Sequence, residues 1–266
     1  EEVGGADALS ATNLVGFVKN DISEIRADII KILNVLPFCS APVVENGSDL
    51  NAPQAALDKQ CEADDLISAV FDKDTYLEIG SACAPEVRCV LGRVGGISVA
   101  AVVFDGENGV ELTAQNVAKV NSFVEFAGYF ELPFVTFVNT LGIRADLETN
   151  GSLVMKNIAK LMENFELLEN AKISVVYKKA IGLGYTVFAA KSMGFDYAYA
   201  FANAKIALFD SVQGAEIEFA SEHNADKAKL AAKYADENSD PIHAAKNGYI
   251  DNIIEPKFVR QYLIAS

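Results

Sequence analysis

The chain has 266 residues, 51% of them hydrophobic, and carries a formal charge of −15 from 37 acidic and 22 basic side chains. This composition supports one globular domain with a sizeable core and a small N-terminal appendage, and the charge disfavours nucleic acid as a partner. Apolar runs fall short of the roughly 20 residues that a membrane span needs.

The chain begins with Glu1 rather than Met, which leads us to expect a piece of a longer protein. Its first residues have neither a basic n-region nor an apolar h-region, so no secretory leader is expected and the cytoplasm is the expected location. Ile22, Ile25, Ile29, Ile32, Leu33 and Leu36 recur at helical spacing before Pro37 stops the pattern. Cys39 to Lys59 is weakly periodic and reads as a linker or surface loop. Asp64–Phe71 reads as a short helix. Val87–Val94 and Ile97–Phe104, joined by Gly95-Gly96, read as a β-hairpin. A helix over Leu112–Glu131 leads to a buried strand, Phe134–Val138. A second long helix, Thr149–Asn170, leads to the strand Ile173–Tyr177, and Gly182–Lys191 is the next helix. Short strands are expected at Tyr197–Ala200 and Ile206–Phe209, and helices at Ser211–Ala220 and Ala225–Asn238. Tyr249–Ile254 is the last strand and Lys257–Ala265 the closing helix. This alternation predicts an α/β fold, with crossover helices packed on a parallel sheet.

Side-chain chemistry is sparse. Cys39, Cys61, Cys83 and Cys89 form no CxxC and have no neighbouring His, so reduced structural thiols are expected. His223 and His243 are the only histidines, which gives little support for a metal site or a Ser-His-Asp triad. No GxSxG, HExxH, GxGxxG or GxxxxGK[ST] occurs. Ligands in such folds sit where strands end and helices begin. Two junctions fit, Asn139–Ile143 after FVTFV and Lys178–Tyr185 after ISVVY. Gly is the ordinary turn residue at a strand-to-helix junction, and exposed main-chain N–H groups there can also hold an oxyanion.

An ordered set of segments resembles the carboxyltransferase subunits of biotin-dependent acyl-CoA carboxylases and decarboxylases. These are Val3–Pro37, ADDLISAVFDKDTYLEI (Ala63 to Ile79), GRVGGISVAAVV (Gly92 to Val103), ELPFVTFVNTLGI (Glu131 to Ile143), KKAIGLGYTVFAAK (Lys178 to Lys191), AKIALF (Ala204 to Phe209), GAEIEF (Gly214 to Phe219) and GYIDNIIEPKFVR (Gly248 to Arg260). The resemblance implies a crotonase-like ββα spiral fold with an N-terminal helical linker. Residues 1–60 would be the inter-domain helix and linker, and residues 61–266 the C-terminal carboxyltransferase domain.

It further implies carboxyl transfer between carboxybiotin and a short-chain acyl-CoA such as propionyl-CoA or methylmalonyl-CoA. This chain would supply the biotin-facing half. The biotin would arrive on a biotin carboxyl carrier protein, and coenzyme A esters would be held by an upstream N-terminal domain. A homo-oligomer, dimer or trimer of dimers, is implied, with a membrane partner in the decarboxylase branch. Carried over by position, main-chain N–H groups of Leu183 and Gly184 form the oxyanion hole for biotin, and Gly182 permits the turn. Thr186, Tyr185 and Gly142 fall at substrate-binding positions, and no metal is implied. VMKN (Val154 to Asn157) falls inside a helix, so no covalent biotin is expected on this chain.

The chain departs from the family pattern at several points. Leu141-Gly142-Ile143 replaces Pro-Gly-Phe, Leu183 replaces the second turn glycine, Phe209-Asp210 replaces Met-Gly, and Gly151-Ser152 replaces a glycine pair. A Leu183 forced to positive φ would be strained by about 1 kcal/mol. Two other functions are consistent with the fold: an inactive assembly subunit, and a crotonase-type hydratase or isomerase. The second is disfavoured because no placed pair of carboxylates is identifiable.

Overall fold

The structure, a computed structural model, describes residues 4–37, 49–57, 61–143, 151–221 and 226–266. Cys39, His223 and much of the expected linker lie outside them. Two helices open the chain, α1 (Ala6–Ala11) and α2 (Ile22–Val35). Asp21 caps α2 by accepting from Ser23 N at 2.8 Å, and the helix ends just ahead of Pro37, as the spacing predicts. After α3 (Ala63–Val70), the strand β1 (Leu77–Ile79) pairs antiparallel with β2 (Val87–Val94), and β2 with β3 (Ile97–Phe104). Gly95 and Gly96 at the β2–β3 turn have φ of +60° and +83°. A two-residue hairpin loop of this kind requires positive φ at both positions, which is why a glycine pair stands there.

The parallel part follows. β4 (Val110–Leu112) leads into α4 (Ala114–Tyr129), whose start is fixed by a capping box between Thr113 and Asn116. Next come β5 (Phe134–Ile143), α5 (Gly151–Leu167), β6 (Lys172–Ile181), α6 (Leu183–Phe188) and β7 (Tyr197–Phe201). The chain closes with β8 (Lys205–Ala207), α7 (Ser211–Glu218), α8 (Lys227–Asn238), α9 (Pro241–Lys246), β9 (Asn252–Ile254) and α10 (Val259–Ala265). The sheet order is β1-β2-β3-β5-β6-β7-β9, with β4 on β5 and β8 on β6. Val154–Asn157 lies inside α5.

Alternation along the strands loads both faces. Ala100, Val102, Phe134, Val138 and Val176 enter one apolar cluster with α4 and α5. Ala101, Val103, Val135, Phe137, Val175 and Tyr177 enter a second cluster with α3 and α10. Cys61, Cys83 and Cys89 are buried free thiols, and burial pushes Cys61 and Cys89 up to about 12.

Two strands run further than the residue pattern suggests. The junction expected at Asn139–Ile143 is strand throughout, and the one expected at Lys178–Tyr185 is strand as far as Ile181, with α6 starting at Leu183. β5 picks up β4 through Thr140, Gly142 and Ile143, and β6 picks up β8 through Lys179, Ala180 and Ile181. In the opposite direction, the strand expected at Ile206–Phe209 stops at Ala207, and the helix expected to reach Lys191 stops at Phe188.

Two polar clamps hold the periphery. Lys119 on α4 is buried, and its Nζ donates to the carbonyls of Cys83 (2.8 Å), Ala84 (3.3 Å) and Val87 (2.6 Å). Asp72 accepts from the N–H groups of Gly95 (3.0 Å) and Gly96 (2.8 Å), and from Arg260 Nη2 at 2.5 Å. That carboxylate joins the hairpin tip to α10. Asp72→Ala leaves both turn amides without their acceptor and removes the counter-charge of Arg260, which keeps only its bond to the Val70 carbonyl at 2.8 Å, so unfolding in urea should show a loss of about 2–4 kcal/mol at unchanged m-value.

Candidate functional site

The two glycine turns flagged in the sequence lie side by side, because β5 and β6 are adjacent parallel strands. Thr140 pairs with Ala180 at their C-terminal ends. Gly142 has φ +89°, and a Cβ there would lie 3.2 Å from the Ile181 carbonyl oxygen. Gly182 has φ +54° and ψ −128°, a conformation closed to residues with a side chain. Its N–H donates to the Ala207 carbonyl at 2.9 Å, so β8 anchors the turn from the other side.

The strain expected at Leu183 is absent, because Gly182 takes the positive φ and Leu183 begins α6 with ordinary helical geometry. Gly182 caps α6 without a side-chain hydrogen bond. The amides of Leu183 and Gly184 therefore open the helix with no intrahelical acceptor. Gly184 is buried against Thr140: a Cβ at position 184 would lie 2.3 Å from Thr140 Cγ2.

A cleft of about 700 Å³ opens beside this turn. Gly182, Tyr185 and Thr186 line it from α6, Leu208 and Phe209 from beyond β8, Ile217 from α7, and Tyr249 from the loop before β9. Its wall is mainly apolar. Tyr185 is fixed in place, since its Oη donates to the Tyr249 carbonyl at 2.9 Å and its ring meets the Tyr249 ring edge-on. Burial, with Tyr249 and Asp251 nearby, pushes the Tyr185 phenol up to about 12. Thr186 returns both its N–H and its hydroxyl to the Gly182 carbonyl, at 3.3 and 3.4 Å.

Of the residues expected at the site, Gly182, Tyr185 and Thr186 meet at the cleft wall. Leu183 packs partly buried against the core, Gly184 is buried, and neither lines the cleft. Gly142 abuts Ile181 behind the turn and does not line the cleft. Sequence reasoning missed Leu208, Phe209, Ile217 and Tyr249. A signal for the first two was present: Asp210 is a helix N-cap, accepting from Val212 N. A cap at that position ends the strand early and leaves Leu208 71% exposed at the cleft.

Comparison with known proteins gives a consistent answer. The carboxyl transferase domain family model matches residues 1–266. The methylmalonyl-CoA decarboxylase subunit alpha of Veillonella parvula is 26% identical over 279 residues, covering 99% of this chain and 54% of that protein. The carboxyltransferase subunit of propionyl-CoA carboxylase from Haloferax mediterranei is 29% identical over 287 residues, covering 100% and 55%. Among solved structures, the transcarboxylase 12S hexamer assembly with methylmalonyl-coenzyme A and methylmalonic acid bound superposes with a TM-score of 0.89 at 26% identity. That match covers 99% of this chain and 54% of the 12S chain. The fold is therefore the crotonase-like α/β fold, and the chain spans about half the length of the relatives it matches.

The Tyr185 geometry generates a pH test. With the folded phenol at about 12, the unfolded phenol ionises first, near its ordinary value of about 10. The unfolded state then binds fewer protons, so stability falls as pH rises from about 10 to 12. Tyr185→Phe should flatten part of that alkaline loss in urea titrations at pH 9, 10 and 11, and should leave the stability difference constant below pH 9.

Proposed function

The chain belongs to the carboxyl transferase domain family, and on that footing we propose that it is the biotin-facing part of an acyl-CoA carboxyltransferase. The reaction would move a carboxyl group between carboxybiotin on a separate biotin carboxyl carrier protein and a short-chain acyl-CoA such as propionyl-CoA or methylmalonyl-CoA. The observation that carries this reading is the uncapped first turn of α6, set at the end of β6 beside an apolar cleft.

Biotin fits this arrangement on chemical grounds. Its apolar ring suits a wall built of Leu208, Phe209 and Ile217, and its ureido oxygen is an acceptor suited to main-chain donors. Carboxybiotin, when bound, supplies the transferable carboxyl group. The amides of Leu183 and Gly184 hold developing negative charge, and Gly182 alone permits the turn that presents them. Such donors stabilise a charged state more than the neutral ground state, which is what accelerates a reaction. Thr186 and Tyr185 shape the cleft beside them, and Gly142 supports the turn from β5.

The rest of the reading concerns what surrounds this chain. Residues 1–60 would join an upstream domain that holds the coenzyme A ester to the carboxyltransferase domain of residues 61–266. Ile22, Ile25, Ile29 and Leu33 form one uncovered apolar stripe along α2, a surface suited to burial by that domain or by a second copy in a dimer or trimer of dimers. No helix among the described residues is long and apolar enough to cross a membrane. The reading places the protein in the cytoplasm, with a membrane partner if it works in the decarboxylase direction. The alternative is a catalytically inactive assembly subunit that keeps the fold. It is favoured by the absence of Leu183 and Gly184 from the residues lining the cleft.

Carboxyl exchange from [14C]methylmalonyl-CoA to free biotin, measured on the full-length protein with its upstream half, separates the two. Transfer to biotin is expected. Absence of transfer with every short acyl-CoA tried would leave only the assembly role. Replacing Thr186 by Ile should shift the ratio of kcat/KM between propionyl-CoA and a longer acyl-CoA by about tenfold, as expected for one or two methylenes in an apolar pocket.

A further inference from the structure

Thr140 is fully buried at 0% exposure, where a hydroxyl costs stability unless it is bonded. Its hydroxyl is used in both directions. Oγ1 donates to the Val110 carbonyl at 2.8 Å and accepts from Gly142 N at 3.1 Å. These bonds fix the rotamer, and the fixed rotamer turns the methyl group toward Gly184. A Cβ at position 184 would lie 2.3 Å from Thr140 Cγ2 and 3.0 Å from Oγ1.

The register around Thr140 is irregular. Val138 pairs with Val176 and Thr140 with Ala180, so β5 advances two residues while β6 advances four. Between these pairs, regular ladder bonds do not define where the end of β5 lies against the end of β6. Thr140 supplies contacts that do. It holds β4 through Val110, the first glycine turn through Gly142, and the first turn of α6 through the missing side chain of Gly184.

We infer that Thr140 is a positioning residue for the first turn of α6, setting the depth at which the Leu183 and Gly184 amides sit. The inference rests on the carboxyl-transfer reading above for its consequence, and on geometry alone for its mechanism. Donors to a developing charge must be held within about 0.5 Å, and a displacement of about 1 Å costs on the order of 100-fold in rate. A Cβ at residue 184 forces a displacement of that size for as long as the Thr140 methyl stays in place.

The test is rescue of Gly184→Ala by a second substitution, made in the full-length protein, with turnover read by carboxyl exchange to free biotin. Gly184→Ala should lower kcat on the order of 100-fold and leave KM for the acyl-CoA unchanged. Thr140→Ser keeps the hydroxyl and removes the obstructing methyl, so Thr140→Ser/Gly184→Ala should recover at least about tenfold of that loss. A double variant no faster than Gly184→Ala overturns the assignment, as does a loss lying mainly in KM.

Amide hydrogen exchange at Leu183 and Gly184 reads the same displacement without turnover. Exchange should change in Gly184→Ala and return toward the wild-type rate in the double variant. If the wild type shows no carboxyl transfer but this exchange pattern appears, the proposed reaction is wrong and the Thr140 coupling stands. If exchange is the same in all three proteins, the coupling itself is wrong.

Discussion

The pairing of Thr140 with Ala180 is the constraint on which the rest of the site depends. Two parallel strands that ended together at Val138 and Tyr177 would hand two separate loops to solvent. Here both strands run on and exchange partners. β5 leaves β3 for β4, and β6 leaves β7 for β8. The extension carries Gly142 and Gly182 to one place and fixes their separation by main-chain bonds rather than by loop conformation. A site that must hold small dipoles at fixed distances is better built on such strand ends than on free loops.

That precision depends on a core that does not give. The central strands are apolar on both faces, so each of their residues is held by packing from two layers. Several polar groups buried among them are bonded, although Asn139 Oδ1 on β5 has no partner among the described residues. Lys119 gathers two carbonyls ahead of β2 and that of Val87 at its start, Thr136 donates to the Phe188 carbonyl at 2.6 Å, and Ser174 donates to the Ala189 carbonyl at 3.1 Å. The last two bonds tie β5 and β6 to the end of α6, the helix whose start lines the cleft. Both ends of α6 are therefore fixed to the sheet, one by main-chain contact at Gly182 and the other by side-chain hydroxyls.

Divergence from the family pattern is absorbed locally. Leu183 stands where a second glycine would be expected from the resemblance, yet the left-handed conformation sits one residue earlier, on Gly182. The main chain thus keeps the turn, while the added side chain packs into the core. The surface tells a complementary story. The cleft mouth, with Leu208 and Ile217 exposed, and the uncovered stripe on α2 are apolar areas on a chain that is otherwise strongly acidic. Contiguous exposed apolar surface marks interaction sites, whether for protein, membrane or ligand.

Much of the fold was legible in the sequence because periodicity is a local property. The spacing of Ile22 through Leu36, the glycine pair between β2 and β3, and the long helices before β5 and β6 all signal their structure without reference to distant residues. Two short strands were not legible. β1 and β4 have three residues each, too few to show a period, and they are strands only because a longer strand lies beside them. α9 was missed although Asp240-Pro241 is a strong helix start. The site divides the same way. Gly182 could be singled out because a glycine after an apolar strand marks a turn. The rest of the cleft wall could not, because Leu208, Ile217 and Tyr249 come from three segments separate from that turn. The sequence by itself determined which residues could turn and which could pack; only the tertiary structure decided which turns would meet, because the meeting is set by the register between strands far apart in the chain.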